Sequence, residues 1–408
     1  MSDDESDDFR ASTPYGRHRQ TEVFTTGMLT GETPSVPVAY EDLKAEAMDA
    51  MSEEAYAYVA GGAGGESTKR VNRDAFDDHR LVPRVLRDTS ERDLRVDVLD
   101  DTWPVPFALA PIGVQGVMCD DGDLASARAA AAEDVPYVTS TQSSYPLEDV
   151  AAELDAADDD GAPNWFQLYW STDRDVTASL VDRAEDAGYD AICLTLDTPH
   201  LGWRERDLQG GYLPFLDGKG IANYTSDPAF RDRLDAPPEE NVREAAREFV
   251  DVFADPTLSF ADLDWLFDRT DLPVVCKGVL HPGDARRCVA AGAAGVVVSN
   301  HGGRQVDRAV AALDRLPAVA DAVRDEDADA AVLFDSGVRR GADVLVALAL
   351  GADAVLLGRP YCYGLALDGE DGVRAVVSNV RADLDLSLAL TGYDAVRDVD
   401  DAALAPTD

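Results

Sequence analysis

Beyond residue 100 the chain repeats one pattern: a short apolar run, a polar or glycine-containing end, then an alanine-rich stretch with helical period. The runs are PVPFALAP (104–111), VPYVTS (135–140), NWFQLYW (164–170), AICLTLDTP (191–199), PVVCKG (273–278), GVVVSNHGG (295–303), AVLFDSG (331–337) and AVLLGRP (354–360). Stretches such as GDLASARAAAAED and HPGDARRCVAAGA lie between them. Apolar runs of this length read as buried parallel strands, and their alternation with helices predicts an α/β fold, a (β/α)8 TIM barrel. The rival is an open doubly wound sheet. That fold opens with a glycine-rich phosphate turn after its first strand, and APIGVQG does not match GxGxxG.

The pattern also marks boundaries. Residues 1–36 are polar and acidic and read as a disordered or draped arm. Residues 37–100 form an N-terminal helical segment, in which Tyr40 to Ala60 has helical period. Ser52-Glu53-Glu54 resembles a helix start there, and Gly61-Gly62 a stop. The barrel spans 101–395, and 396–408 is an acidic tail. About 75 residues (199–272) separate the fourth and fifth runs, so a lid is expected at about 205–262, on the catalytic face.

In a barrel, chemistry belongs to the carboxyl ends of the strands. Those ends carry Pro111, Ile112 and Gly113, Ser140, Gln167 and Tyr169, Thr195 and Asp197, Lys277, Ser299 and His301, Asp335, and Gly358 with Arg359. DSGVRRG (335–341) and GRP (358–360) combine glycines, a helix start and arginines, the makings of a phosphate clamp; ordinary loop glycines with solvated arginines are the alternative. His301 follows a buried run and precedes Arg304 by three residues. A lone histidine is more often structural, but an imidazole beside a guanidinium supplies a base and a carboxylate fork, as a 2-hydroxy acid requires. Asp197 could orient that imidazole, Arg204 could add a second carboxylate contact, and Tyr58 and Tyr169 could donate hydroxyls. Flavin mononucleotide fits the phosphate clamp, and no nicotinamide fingerprint is present. Lys277 would stabilise the anionic reduced flavin, or would simply form a salt bridge inside the barrel.

Composition narrows the partners. The chain has 79 acidic and 36 basic residues, a formal charge of −43, and only four lysines. Charge of that density suits molar salt, where screening acts within about 3 Å, and disfavours nucleic acid and anionic membranes. Five scattered cysteines without a CxxC pair point to buried thiols in a reducing compartment, and no metal-ligand spacing is present. No signal peptide and no apolar membrane span is visible, so the expected location is the cytoplasm of a halophile.

At this point the residues resemble a known family. SNHGGRQ, with YAYVAGGA (56–63), NRDAF (72–76), APIG (110–113), FQLY (166–169), LTLDTP (194–199), KGV (277–279), DSGVRRG and GRP, is similar to the FMN-dependent 2-hydroxy-acid oxidising enzymes, the glycolate oxidase and L-lactate dehydrogenase family. Within it the likeness leans to the lactate 2-monooxygenases, through LDTPHLGWRERDL, ANYTSDPAFRDRL and GRPYCYGLAL. The resemblance implies His301 as proton acceptor, with Asp197 and Lys277 as its catalytic partners, and Tyr58, Tyr169, Arg204 and Arg304 at the substrate. It implies FMN at Pro111, Ile112, Gly113, Ser140, Gln167, Thr195, Lys277, Ser299, Asp335, Ser336, Gly337, Val338, Arg339, Gly358 and Arg359. It implies a small 2-hydroxy acid and O2 or another acceptor as partners, and a homotetramer or homo-octamer. One departure falls at Gln142, where glycolate oxidases carry an aromatic residue facing the substrate side chain.

Overall fold

The computed structural model describes residues 14–155 and 161–406. A short antiparallel hairpin, β1 (Val96–Val98) and β2 (Asp101–Trp103), precedes the barrel. All eight apolar runs then become parallel strands: β3 (Phe107–Leu109), β4 (Tyr137–Ser140), β5 (Asn164–Tyr169), β6 (Ala191–Thr195), β7 (Val274–Val279), β8 (Gly295–Val298), β9 (Ala331–Phe334) and β10 (Ala354–Leu357). They pair in chain order, and β10 closes the ring on β3, with Leu357 opposite Leu109. The fold is the (β/α)8 barrel.

Strand periodicity divides each run between two cores. Successive side chains point to opposite faces, so Ile192 and Leu194 meet the surrounding helices while Ala191 and Cys193 face the barrel axis. Ala108, Val138, Trp165, Val275, Val297, Leu333 and Leu356 fill the interior in the same way. Trp103 of the hairpin plugs the lower end and meets the Trp165 ring edge-on at 5.3 Å. The barrel is therefore solid below and can open only at the carboxyl ends of its strands.

The insertion between β6 and β7 is folded. It includes helices Glu205–Gly210, Val242–Val252 and Leu263–Phe267. An aromatic cluster holds it down: Phe215 lies 4.9 Å from Phe249, Tyr224 lies 4.8 Å from Phe249, and Phe253 lies 4.9 Å from Tyr169 of β5. No helix among the described residues is long and apolar enough to cross a membrane.

Three expectations need correction. The arm is not featureless: Tyr15–Thr30 is a helix, docked where Gly16 N donates to Asp385 Oδ2 at 2.8 Å on the long helix Arg359–Thr391. Gly16 permits that approach, since a Cβ there would sit 2.6 Å from Leu386 Cγ, and Asp385 is itself paired with buried Arg92. Residues 1–13 of the expected arm lie outside the described residues. The helical stretch 40–60 is two helices, Tyr40–Ala50 and Glu53–Ala60, because Ser52 caps the second by accepting from Ala55 N at 3.1 Å. The acidic tail is partly tied down: Leu404 bridges to Leu81 and Val82 N donates to Ala403 O at 2.8 Å, while residues 407 and 408 lie outside the described residues.

Candidate active site

The side chains that face the barrel axis continue upward at the same parity. Above Trp165 come Gln167 and Tyr169; above Cys193 come Thr195 and then Asp197; above Val275 comes Lys277. Above Val297 come Ser299 and His301, above Leu333 comes Asp335, and above Val138 come Ser140 and Gln142. The plugged barrel thus brings polar groups from six of its strands to the mouth of a single pocket. Its empty volume is about 1020 Å3 including the part open to solvent, at the upper end of the roughly 300–1,000 Å3 of small-molecule sites.

His301 is held in a strained turn. Its φ is 59°, and Gly302 and Gly303 continue at 63° and 77°, conformations that cost a non-glycine residue about 1–3 kcal/mol. Asn300 Oδ1 accepts from Gly303 N at 3.0 Å, and Asn72 exchanges two 2.7 Å hydrogen bonds with Asn300. His301 Nδ1 meets Asp197 Oδ1 at 2.9 Å, and Thr198 Oγ1 donates to that same oxygen at 3.1 Å. Gly278 makes room for the carboxylate, since a Cβ there would lie 2.6 Å from Asp197 Cβ. Burial lowers the His301 pKa below its ordinary value despite Asp197, so the imidazole is neutral. Burial works the other way on Asp197, but His301, Lys277 and the Thr198 hydroxyl together outweigh it and hold the carboxyl below its ordinary value. With Nδ1 committed to Asp197, Nε2 is the nitrogen left for the pocket.

Two pairs of guanidiniums border the pocket. Arg204 and Arg304 form one. Arg304 Nη1 donates to Tyr58 O and Gly61 O, and its guanidinium lies 5.0 Å from the Tyr58 ring centroid. Arg204 donates to Arg304 O at 3.3 Å and to Gln305 Oε1 at 3.2 Å. Arg339 and Arg359 form the other. Arg359 donates to Val59 O, Gly302 O and Gly61 O, and Arg339 to Val338 O. Every protein acceptor of these four side chains is neutral among the described residues. Burial, with the second guanidinium nearby, pulls both Arg304 and Arg359 down to about 10, so each stays charged at neutral pH but lacks an anion.

Lys277 is buried between Asp335 Oδ2 at 3.1 Å and Ser299 Oγ at 3.0 Å. Burial alone would lower its pKa, but Asp335 and Asp197 outweigh that and raise it. The salt bridge and the pocket position, which the sequence left as alternatives, are both present. Gln167 donates to Thr195 Oγ1 at 3.0 Å and accepts from Ser140 Oγ at 3.2 Å.

Most sequence-predicted residues line the pocket: Tyr58, Pro111, Ile112, Gly113, Gln167, Tyr169, Thr195, Arg204, Lys277, His301, Arg304, Asp335 to Arg339, Gly358 and Arg359. Asp197, Ser140 and Ser299 stand behind it and touch it through His301, Gln167 and Lys277. Thr198, Leu201, Phe215 and Phe253 also line it and were not singled out in the sequence. Thr198 could have been read from its neighbour Asp197. The other three belong to the insertion, where no strand period signals direction.

The family model described as FMN-dependent dehydrogenase matches residues 47–406. The chain belongs to the FMN-dependent dehydrogenase family. It is 40% identical over 380 residues to an L-lactate oxidase of Lysinibacillus sphaericus, covering 93% of this chain and 95% of that protein. It is 38% identical over 375 residues to an L-lactate dehydrogenase of Pseudomonas aeruginosa, covering 88% and 96%. A crystal structure of mandelate oxidase superposes with a TM-score of 0.78 at 38% identity, covering 91% of this chain and 98% of that one. The protein is an FMN-dependent 2-hydroxy-acid oxidoreductase. Its residues fit the cofactor: Arg339 and Arg359 are buried cations awaiting an anion such as a phosphate, and Lys277 is a cation fixed in the barrel mouth.

Proposed function

We propose that this family member oxidises a small (S)-2-hydroxy acid, with L-lactate as the simplest candidate. The observation that carries this reading is the pairing, around one pocket, of a neutral imidazole backed by Asp197 with two guanidiniums that lack a carboxylate. Arg204 and Arg304 hold the substrate carboxylate, and the planar fork of Arg304 supplies two parallel donors. Tyr58 and Tyr169, whose pKa values burial raises, stay protonated and donate to substrate oxygens. His301 Nε2 takes the substrate proton, and Asp197 stabilises the resulting imidazolium. FMN, when bound at Arg339 and Arg359, supplies the two-electron acceptor. Adding L-lactate under nitrogen should bleach the flavin absorbance; a flavin that stays yellow with every hydroxy acid would end this reading.

The final outcome in air is part of the same proposal. Phe215 and Phe253 of the insertion line the pocket, and the aromatic cluster beneath them holds the lid down. A held lid favours retention of the 2-oxo acid beside peroxide, and so the 2-monooxygenase route, in which lactate and O2 become acetate, CO2 and water. Release of the 2-oxo acid, with O2 or a quinone as acceptor, is the alternative supported by the names of the relatives. Product analysis after aerobic turnover separates them: acetate supports the first route and accumulated pyruvate the second.

A further inference from the structure

Gln142 differs from most polar groups around it and shares with the Tyr58 and Tyr169 hydroxyls the lack of a side-chain partner among the described residues. Gln167, Thr195, Lys277, Asp335 and His301 each have a protein partner within the site. The backbone of Gln142 is tied down: its N donates to Ser140 Oγ at 3.1 Å and its O accepts from Val114 N at 2.7 Å. Its carboxamide has no hydrogen-bond partner among the described residues. Yet the residue is only 6% exposed and is part of the pocket wall. Gln142 lies in the turn that follows β4, two residues past Ser140, and its side chain lines the pocket. Gly113 lets the two segments approach closely, because a Cβ there would fall 2.7 Å from Gln142 Cβ. The amide N and O are not among the buried unpartnered atoms but reach the pocket space, where an occupant would displace water from them and have to supply the hydrogen bonds instead.

We infer that Gln142, among 2-hydroxy acids with a side chain longer than the methyl of lactate, selects those carrying a hydrogen-bonding group on the carbon next to the reacting one, such as a hydroxyl, over acids of equal size with a purely hydrocarbon side chain. This deepens the hydroxy-acid reading above and rests on it. Leu201, Phe215 and Phe253 form apolar parts of the same wall. An all-apolar side chain would be accepted there but would leave the amide unpaired and cut off from water. A hydroxyl on that carbon gives the amide an acceptor and a donor at once.

Two substrates of nearly equal size isolate the effect: L-glycerate, with CH2OH on the reacting carbon, and (S)-2-hydroxybutyrate, with CH2CH3. Flavin reduction is followed under nitrogen in the FMN-loaded enzyme, and the second-order rate constant is taken for each. We expect L-glycerate to exceed (S)-2-hydroxybutyrate about tenfold or more, the usual size of one unmet buried hydrogen bond. Gln142→Leu, close in volume, should abolish or reverse that ratio, and Gln142→Met provides a second apolar side chain should the first fold poorly. A wild-type ratio near one, or in favour of 2-hydroxybutyrate, overturns the inference. So does a preference for glycerate that persists in both variants, or a shift only in the flavin spectrum, which would turn the amide toward the cofactor. Absence of reduction by any hydroxy acid, lactate included, instead overturns the hydroxy-acid reading and this inference with it.

Discussion

The two guanidinium pairs offer the same chemistry on different foundations. Arg339 and Arg359 both follow barrel strands, β9 and β10, and Arg359 is held by three backbone carbonyls from the 53–60 helix end and the His301 turn. Arg304 also follows a barrel strand, β8, but its partner Arg204 comes from the insertion. Among the described residues the Arg204 side chain hydrogen-bonds to Arg304 O and Gln305 Oε1, and Gln305 in turn donates to Asp197 O at 2.8 Å and His200 O at 3.1 Å. On the proposed function, the first pair is a fixed site for the FMN phosphate, built for a group that stays. The second spans barrel and insertion, so a substrate carboxylate that bridged it would also tie the insertion to the strand ends, and closure and substrate binding would share one contact.

Perturbations can break or sharpen this contrast. The largest effect is expected between the pairs: His301→Ala should slow anaerobic flavin reduction by roughly 10^2–10^4-fold while FMN stays bound, as stopped-flow absorbance would show. Retained reduction kinetics would remove the imidazole from the chemistry. Next, Arg359→Ala should weaken FMN by about 100-fold, read by fluorescence titration of the apoprotein, with Arg339 left alone against the phosphate. Unchanged FMN affinity would mean that the fixed pair serves some other anion.

A smaller change is expected at the bridging pair. Arg304→Lys keeps the charge but loses the planar fork, and should raise the dissociation constant for L-lactate about tenfold with FMN binding intact. Equal losses of FMN and lactate would erase the distinction between the two sites. The pH dependence is subtler still. Neutral His301 is the working form and its pKa lies below the ordinary 6.5, so the reduction rate should be flat above pH 6.5 and fall only as the pH drops through that lowered value. An acid limb centred above 6.5 would mean that Asp197 outweighs burial.

Much of this was legible in the sequence for a local reason. Each strand is a short apolar run, and its last residues or the few that follow reach the barrel mouth. Lys277, His301, Asp335 and Arg359 could therefore be read one strand at a time. The insertion has no such period. That Phe215 and Phe253 line the pocket while Phe249 lies buried beneath them depends on how distant segments pack. The helix at Tyr15–Thr30 was missed for the same cause: its docking depends on Asp385 and Leu386, far along the chain.

Neighbours along the chain were enough for the barrel and the ring of polar strand ends, and for singling out the proposed base and clamps, because strand parity and motif spacing are local properties. Only the tertiary structure decided which of those groups already have partners. Among the described residues Lys277 is paired with Asp335, the four pocket arginines have no carboxylate acceptor and the Gln142 amide has no partner, because hydrogen-bond satisfaction is settled by residues that meet only once the ring has closed.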